Sequence, residues 1–248
     1  GNYSHAEGYN TITHSDYSHV EGFRSEAKGA YSHAEGSATK SIGESSHAEG
    51  NTTQAIGESS HAEGYGTKAE GDSSHTEGYE TTATGFASHA EGEATTAIGE
   101  YSHAEGFNTT AQAGYSHAEG FNTTASGDSS HAEGEYTTAF GTSSHTEGNI
   151  TVASGNYSHA EGSGSHAIGI ASHSEGLNSI ASGNHSHAEG SYNTVDGDSS
   201  HVEGNNNVVG TGFSHAKGRY NLASNGVFYA VVNTSNPAKT INLNNDII

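Results

Sequence analysis

The most regular feature of the chain is a recurring set of serine, histidine and glutamate side chains, residue types that can do chemistry. The word Ser-His-Ala-Glu-Gly stands at residues 46–50 and returns, with small changes, every fourteen residues. Serine, histidine and a carboxylate make up a hydrolytic triad, and histidine with glutamate is also a set of metal ligands. Which chemistry is possible depends on the elements that position these side chains.

Those elements belong to a strict repeat. Cutting the chain every fourteen residues from Gly1 gives sixteen units that end at Ser224, without insertion or deletion. Serine at position 4, histidine at position 5 and glycine at position 8 occur in all sixteen units. Position 7 is glutamate in fifteen units, position 6 is alanine in eleven, position 13 is alanine in twelve and position 1 is glycine in thirteen. Such regularity predicts a solenoid.

Each unit has room for two short strands and two tight turns, which we place at the glycines of positions 1 and 8. Side chains alternate faces along a strand, so positions 4, 6 and 8 share one face, as do positions 11, 13 and the next position 1. A coil of fourteen residues encloses very little space, so only small side chains fit on these two inner faces. We predict an all-β fold, a flattened parallel β-roll over 1–224, whose sixteen coils would span roughly 75–80 Å at ~4.8 Å per coil.

The fourteen-residue repeat resembles the head repeats of trimeric autotransporter adhesins, whose units have the same length and contain a word like SVAIG. The matching word here is 46–50, followed by Thr53, Ala55 and Gly57. The SHAEG version is similar to repeat arrays of phage tail or neck appendages and of Gram-positive surface proteins. Over residues 1–224 the resemblance implies a left-handed parallel β-roll and a side-by-side homotrimer. It also implies an extracellular location on a cell surface, a spore surface or a virion.

The outward face made by positions 5 and 7 hardly varies, whereas the outward positions 12 and 14 vary freely. In a trimer, the invariant face is the one expected at the subunit interface, with each imidazole donating to a carboxylate of a neighbouring chain. The adhesin heads have Val and Ile here, so a dry apolar interface does not carry over. The predicted interface residues are His5, Glu7, His19, Glu21, His33, Glu35, His47, Glu49, His61, Glu63, His75, Glu77, His89, Glu91, His103, Glu105, His117, Glu119, His131, Glu133, His145, Glu147, His159, Glu161, His173, Glu175, His187, Glu189, His201, Glu203, His215 and Lys217.

Other uses of this face stay open. Histidine and glutamate two residues apart on a strand share a face, so a metal-binding array is one alternative, and a simply solvated face is another. Ser46 and His47 point to opposite faces, which argues against a triad, and we expect neither an enzyme nor a cofactor. Ice binding needs an outward Thr-x-Thr ladder, and positions 12 and 14 are both threonine only at Thr82 and Thr84.

The composition excludes several classes of partner. A formal charge of −22 with seven Lys and Arg residues disfavours nucleic acid, because phosphates need cationic side chains. No apolar run approaches ~18 residues, so we expect no membrane insertion. Gly1 opens a complete coil, so we expect this end either to have been cut from a longer roll or to stack on another molecule.

The last residues, 225–248, depart from the repeat and turn apolar. We predict a C-terminal β cap, a trimer clasp, or a connector that links subunits end to end into a filament. Just before it, position 11 becomes asparagine at Asn193, Asn207 and Asn221, which predicts a hydrogen-bonded ladder. The predicted cap residues are Val227, Phe228, Tyr229, Val231, Val232, Ile241 and Leu243.

Together these observations predict a non-catalytic structural or adhesive fibre segment, a rigid trimeric β-roll. The alternative is a head module that binds a host-surface glycan or protein, with Tyr65, Phe107 and Phe121 as exposed contacts near the turn at positions 8 and 9. Those aromatic rings would equally fit between chains at the rim of a trimer.

Overall fold

The computed structural model describes residues 1–223 and the backbone of 229–232. The chain forms two compact units, Gly1–Ala125 and Ser126–Ile248, and in each the described residues build a stack of fourteen-residue coils. The predicted all-β parallel solenoid of about sixteen coils is confirmed. A search of the described residues finds no helix with the length and apolar character needed to cross a membrane.

In the first unit each coil contributes one strand of five residues and one of two residues. The five-residue strands form one parallel sheet: β1 His5–Tyr9, β3 His19–Phe23, β5 His33–Ser37, β7 His47–Asn51, β9 His61–Tyr65, β11 His75–Tyr79, β13 His89–Glu93, β15 His103–Phe107 and β17 His117–Phe121. The two-residue strands form the other: β2 Ile12–Thr13, β4 Glu26–Ala27, β6 Lys40–Ser41, β8 Gln54–Ala55, β10 Lys68–Ala69, β12 Thr82–Ala83, β14 Thr96–Ala97, β16 Thr110–Ala111 and β18 Thr124–Ala125.

The second unit repeats this plan with shorter strands in its first coils. Its first sheet contains β19 His131–Ala132, β21 His145–Thr146, β23 His159–Ala160, β25 His173–Ser174, β27 His187–Ser191, β29 His201–Asn205, β31 His215–Arg219 and β33 Tyr229–Val232. Its second sheet contains β20 Thr138–Ala139, β22 Val152–Ala153, β24 His166–Ala167, β26 Ile180–Ala181, β28 Thr194–Val195, β30 Val208–Val209 and β32 Leu222–Ala223.

The strands pair in parallel with a register of one coil, so that each residue lies beside its equivalent fourteen residues on. His47 lies beside His61 and Glu49 beside Glu63, for example. This register aligns every column of the repeat into a ladder. A one-residue slip would turn the histidines and glutamates into the core, so burial of the small residues fixes the register.

The core is as narrow as the sequence predicts. Serine at position 4, alanine at position 6, threonine at position 11 and alanine at position 13 are almost completely buried, as in Ser46, Ala48, Thr53 and Ala55. In most coils the buried serine hydroxyl is bonded locally, as where Ser46 Oγ donates to the Gly43 carbonyl oxygen over 2.7 Å. Ser130, Ser144 and Ser172 make no such bond within the described residues, so hydrogen bonding alone does not explain why position 4 keeps serine.

The role predicted for the glycines is wrong in one respect. Glycine at position 8 does not fill the core: Gly106 is exposed, with φ of +108°. A Cβ there would lie 3.0 Å from the nitrogen of Gly120 in the next coil and closer still to its carbonyl oxygen. Glycine at position 1 lacks a positive φ, but a Cβ on Gly85 would collide with the Gly99 carbonyl. Gly85 is buried, so position 1 lies on the inner face as predicted. Close stacking of coils selects glycine at both positions, and core filling adds to this only at position 1.

The turn predicted at position 1 is found, and the one predicted at position 8 lies elsewhere. The first begins at the position-1 glycine, where Ser46 N donates to Gly43 O over 3.3 Å, and the second lies at position 10. Left-handed backbone occurs at positions 3 and 10, where most residues are not glycine, as in Tyr115 (φ 57°) and Asn108 (φ 53°). Each of these amides donates to the preceding coil, Tyr115 N to Glu100 O and Asn108 N to Glu93 O, both over 2.9 Å. These bonds between coils offset the cost of the left-handed conformation.

Candidate functional site

The histidines of position 5, here called the His ladder, stack along the outer face of the first sheet. From His19 to His117 in the first unit, neighbouring ring centroids are 4.7–4.9 Å apart and the rings lie within 18° of parallel. From His131 to His201 in the second unit, the spacing is 4.6–4.9 Å. The sheet register forces this stacking, since each histidine lies directly beside the next.

The glutamates of position 7, here called the Glu ladder, run beside the His ladder on the same face. His47 Nε2 lies 3.7 Å from Glu49 Oε2 within its own coil, and His103 Nε2 lies 3.8 Å from Glu91 Oε1 of the preceding coil. In the second unit His173 and His187 approach Glu161 and Glu175 to 3.2 and 3.3 Å. Imidazole and carboxylate thus already meet within a single chain. The bonds predicted between neighbouring chains remain a prediction.

The His ladder is half-buried, and the pKa of five of its rings is lowered. Burial is the largest cause of the lowered pKa, and repulsion from the neighbouring imidazoles is the second. The five rings are His33, His61, His89, His159 and His201. The Nε2 atoms of these five rings are shielded from solvent and make no hydrogen bond within the described part of the chain. At neutral pH such rings are mostly uncharged and offer a free lone pair or an N–H to a partner.

The Glu ladder shares protons along its length. Burial, followed by hydrogen bonds shared with Glu77 and Glu49, raises the pKa of Glu63 to about 7. Hydrogen bonds shared with Glu91 and Glu119, followed by burial, raise the pKa of Glu105 to about 7. The pKa of Glu91, which accepts from Glu105 and Glu77, is lowered instead. Protonated and ionised carboxyls therefore coexist in one column, because stacked like charges cannot all ionise freely.

The last glutamate position of the repeat holds a cation. Lys217 replaces glutamate and forms an ion pair with Glu203 of the preceding coil. A hydrogen bond from the Lys217 ammonium group is the main cause that lowers the pKa of Glu203. Burial opposes this shift, and Coulomb attraction to the same ammonium group adds to it. The spacing of the Glu ladder therefore accommodates a positive charge between two coils.

The geometry of Ser46 and His47 agrees with the argument against a triad. The Ser46 hydroxyl lies in the core, bonded to Gly43 and to Ser41, whereas the His47 ring lies on the outer face. A serine nucleophile must reach the imidazole that takes up its proton. In this coil the two groups lie on opposite sides of the strand.

Exposed aromatic side chains form two further ladders. At position 9, Phe107 and Phe121 stack with centroids 5.1 Å apart, and both lie on the surface as predicted, as does Tyr65. At position 3, Tyr101 and Tyr115 stack at 5.2 Å, and Tyr115 is 65 % exposed. The sequence analysis missed the second ladder, although the recurrence of tyrosine at position 3 was its visible signal.

The predicted cap residues are only partly described. Val227, Phe228, Ile241 and Leu243 lie outside the described residues. The strand β33, which carries Tyr229, Val231 and Val232, pairs in parallel with β31 in the register of the repeat. The predicted asparagine ladder is confirmed: Asn221 Nδ2 donates to Asn207 Oδ1 over 2.9 Å, and Asn207 Nδ2 to Asn193 Oδ1 over 3.1 Å.

Comparison with known protein families identifies the repeat. A family model described as the YadA head domain repeat (2 copies) matches residues 77–102, 118–144, 160–186 and 174–192. A search of the curated proteins finds no match. The family match and the parallel solenoid of fourteen-residue coils confirm the resemblance to trimeric autotransporter adhesin heads. The match suggests an adhesin-type structural β-roll.

Proposed function

We propose that the chain is a rigid structural or adhesive segment of a surface appendage, in which three copies associate side by side through the His and Glu ladders. The observation that carries this proposal is the contrast between the two sheets. Positions 5 and 7 keep His and Glu through the repeat, whereas the outward positions of the second sheet change from coil to coil. Solvation alone gives no reason for that difference.

The chemistry of the ladders supports a partner of the same kind. In a single chain the rings and carboxyls are about one-third exposed, as for His103 at 35 % and Glu105 at 32 %. Two further copies would cover them with groups that both donate and accept hydrogen bonds. Buried polar layers of this kind set register and stoichiometry more than they add stability.

The mass of the particle in solution tests the trimer. Sedimentation velocity or native mass spectrometry should give three times the 25.4-kDa chain mass. The variant His61→Lys/His89→Lys adds charge to the proposed interface and should shift the particle toward the monomer, because like charges would face one another across it.

The matched control places the same change on the other sheet. Lysine occurs natively at position 12 as Lys68, so Thr82→Lys/Thr96→Lys should leave the mass unchanged. A wild-type monomer at micromolar concentration, or dissociation by the control pair alone, would refute the interface.

The C-terminal segment 225–248 fits the same proposal as a cap or end-to-end connector. Its strand β33 continues the parallel pairing of the first sheet beyond β31. A chain truncated after Ser224 should form longer assemblies if the segment caps the sheet edge, and shorter ones if it connects subunits. Electron microscopy of the full and truncated chains separates these roles. If truncation leaves the assembly unchanged, the segment is neither a cap nor a connector.

A second candidate function rests on the exposed aromatic ladder of position 9, whereas that of position 3 serves as its control. Stacked rings such as Tyr65 and Tyr79, 5.0 Å apart, present flat apolar faces of the kind that sugar rings pack against. We propose glycans of a host surface as the ligand. Binding on a glycan array should be lost in Tyr65→Ala/Tyr79→Ala and retained in Tyr17→Ala/Tyr31→Ala. If intact wild-type particles bind no glycan on the array, glycan binding is refuted and only the structural role stands.

A further inference from the structure

We propose that the first unit binds divalent cations of the zinc class between successive coils, each held by one imidazole of the His ladder and two carboxylates of the Glu ladder. Two such triplets are Glu63–His75–Glu77 and Glu91–His103–Glu105. In each, the second carboxylate and the histidine belong to one strand and the first carboxylate to the strand before it.

The donor atoms are already gathered. One ligand atom from each residue of a triplet lies within 4.8 Å of the others, and the same holds for Glu49–His61–Glu63 and Glu77–His89–Glu91. Zinc bonds of about 2.0–2.2 Å require donors roughly 3.4 Å apart, so the side chains must close in by about 1 Å. Glutamate has three side-chain torsions, and its carboxyl lies at the surface, so this adjustment needs no movement of the strands.

The imidazole nitrogen is poised for a ligand role. Nε2 of His75, of His89 and of His103 is shielded from water and makes no hydrogen bond within the described residues. Each ring faces the Glu ladder, with His89 Nε2 4.0 Å from Glu91 Oε2 and His103 Nε2 3.8 Å from Glu91 Oε1. A nitrogen without a hydrogen-bond partner, beside two carboxylates, is the arrangement that a metal ion completes.

There is space for the ion and its remaining water ligands. An open groove runs along the Glu ladder, lined by Glu77, Glu91, Glu105 and Glu119 and by three glycines of position 8. Because glycine has no side chain, the region beside each carboxylate is left clear. In a single chain, the groove gives an ion a route of entry from solvent.

Electrostatics favours a cation at this place. The register puts carboxylates of successive coils side by side, as with Glu91 and Glu105. The repeat itself shows one solution, since Lys217 takes a glutamate position and pairs with Glu203. A divalent ion between coils would act in the same way in the first unit, where every position of the Glu ladder is glutamate.

The ligand set selects the class of metal. Carboxylates alone suit calcium and magnesium, whereas an imidazole nitrogen with two carboxylates suits zinc, copper or nickel. Successive triplets share a glutamate, so a loaded coil is expected to leave the next one empty. All donors come from one chain, and the inference therefore does not depend on the proposed trimer.

The test measures zinc bound to the full chain after treatment with a chelator. Equilibrium dialysis against micromolar ZnCl₂ with millimolar CaCl₂, followed by elemental analysis, should give at least one zinc per chain. The variant Glu77→Gln/Glu91→Gln/Glu105→Gln removes a ligand from three of the triplets. Because neighbours share glutamates, it should lose one or two bound zinc ions per chain.

A matched control neutralises three exposed glutamates outside the ladder. Glu58→Gln/Glu70→Gln/Glu100→Gln changes the net charge equally and should bind as much zinc as the wild type. Equal loss in both variants, or less than one zinc on the wild type, would overturn the proposal. Particle mass measured on the same samples separates this outcome from failure of the trimer.

The imidazole is tested separately. His75→Gln/His89→Gln/His103→Gln should lose as many zinc ions as the ladder variant, and Cu²⁺ bound to the wild type should show nitrogen coupling in its electron paramagnetic resonance spectrum. A histidine variant that binds zinc normally, or copper without nitrogen coupling, would refute the triplet. Far-ultraviolet circular dichroism of each variant verifies that it folds.

Discussion

The glycine column of position 8 allows a sharp test of the stacking argument. Replacing Gly106 by alanine puts a Cβ where the next coil already stands, 3.0 Å from Gly120 N and closer to the carbonyl oxygen. Real Cβ atoms essentially never approach another heavy atom within 3.0 Å. Alanine must also adopt a φ near the +108° that Gly106 has. Both effects destabilise the same coil.

The expected cost follows from these two effects. A non-glycine residue at such a φ costs about 1–3 kcal/mol. Moving the coils apart to relieve the contact weakens backbone hydrogen bonds between β15 and β17, at about 1 kcal/mol for each. A total of about 3–5 kcal/mol is expected, which corresponds to a loss of hydrogen-exchange protection by roughly two to four powers of ten.

Hydrogen exchange is the suitable assay, because a repeat stack can open locally without unfolding as a whole. Exchange of the amides in β13, β15 and β17 should accelerate in Gly106→Ala, whereas amides of β3 should change little. The matched control is Gly114→Ala. A Cβ at Gly114 meets only the Glu100 carbonyl oxygen at 3.8 Å, without a positive φ. That change should be neutral or stabilise by about 0.4–1 kcal/mol. Equal protection in the two variants would refute the reasoning.

Three further predictions concern the core, the asparagine ladder and the His ladder. Ala104→Val should be tolerated, since Val20 fills the same position, whereas Ala104→Leu should cost about 1–3 kcal/mol in urea denaturation; equal midpoints would contradict the narrow core. Asn207→Ala removes bonds to Asn193 Oδ1 and to two carbonyls and should cost about 2–4 kcal/mol, while Asn207→Thr should cost less; a thermal midpoint unchanged in both would be contrary to this. Burial and neighbouring imidazoles lower the pKa of His159 below 6.5, so the unfolded chain takes up that proton first. The wild type should therefore lose stability relative to His159→Gln as the pH falls below about 6.5, measured with a chelator present; a difference independent of pH would refute this.

Much of the fold could be predicted because the sequence contains its own comparison. Sixteen copies show which positions are free to vary, so Ala48 and Thr53 could be placed in the core and His47 and Glu49 outside it. The alternation of faces along a strand sufficed for that assignment. The asparagine ladder followed in the same way from three successive asparagines.

The glycines and turns could not be placed by the same reasoning. Alternation put Gly106 on the inner face, but its need for glycine comes from the next coil and from a positive φ. The turn at position 10 holds Asn108 in one coil and Glu80 in another, so composition hides a conformation that the bonds between coils impose. The contacts of the candidate site were likewise hidden, because whether a histidine meets the glutamate of its own coil or of the preceding one depends on side-chain torsions.

The uniform register has a consequence for how such a chain can change its length. Within the first unit, junctions between coils pair the same residue types at positions 5, 7 and 8, so deletion of 43–56 would put His33 beside His61, Glu35 beside Glu63 and Gly36 beside Gly64. The His, Glu and glycine columns would continue, but Lys40 would come to lie beside Lys68, a pair of like charges that Gln54 now separates. Gain or loss of whole fourteen-residue units by recombination between repeats thus keeps the core and these columns in register, whereas a change of any other size shifts every later side chain to a wrong place. The number of coils can therefore change in whole units.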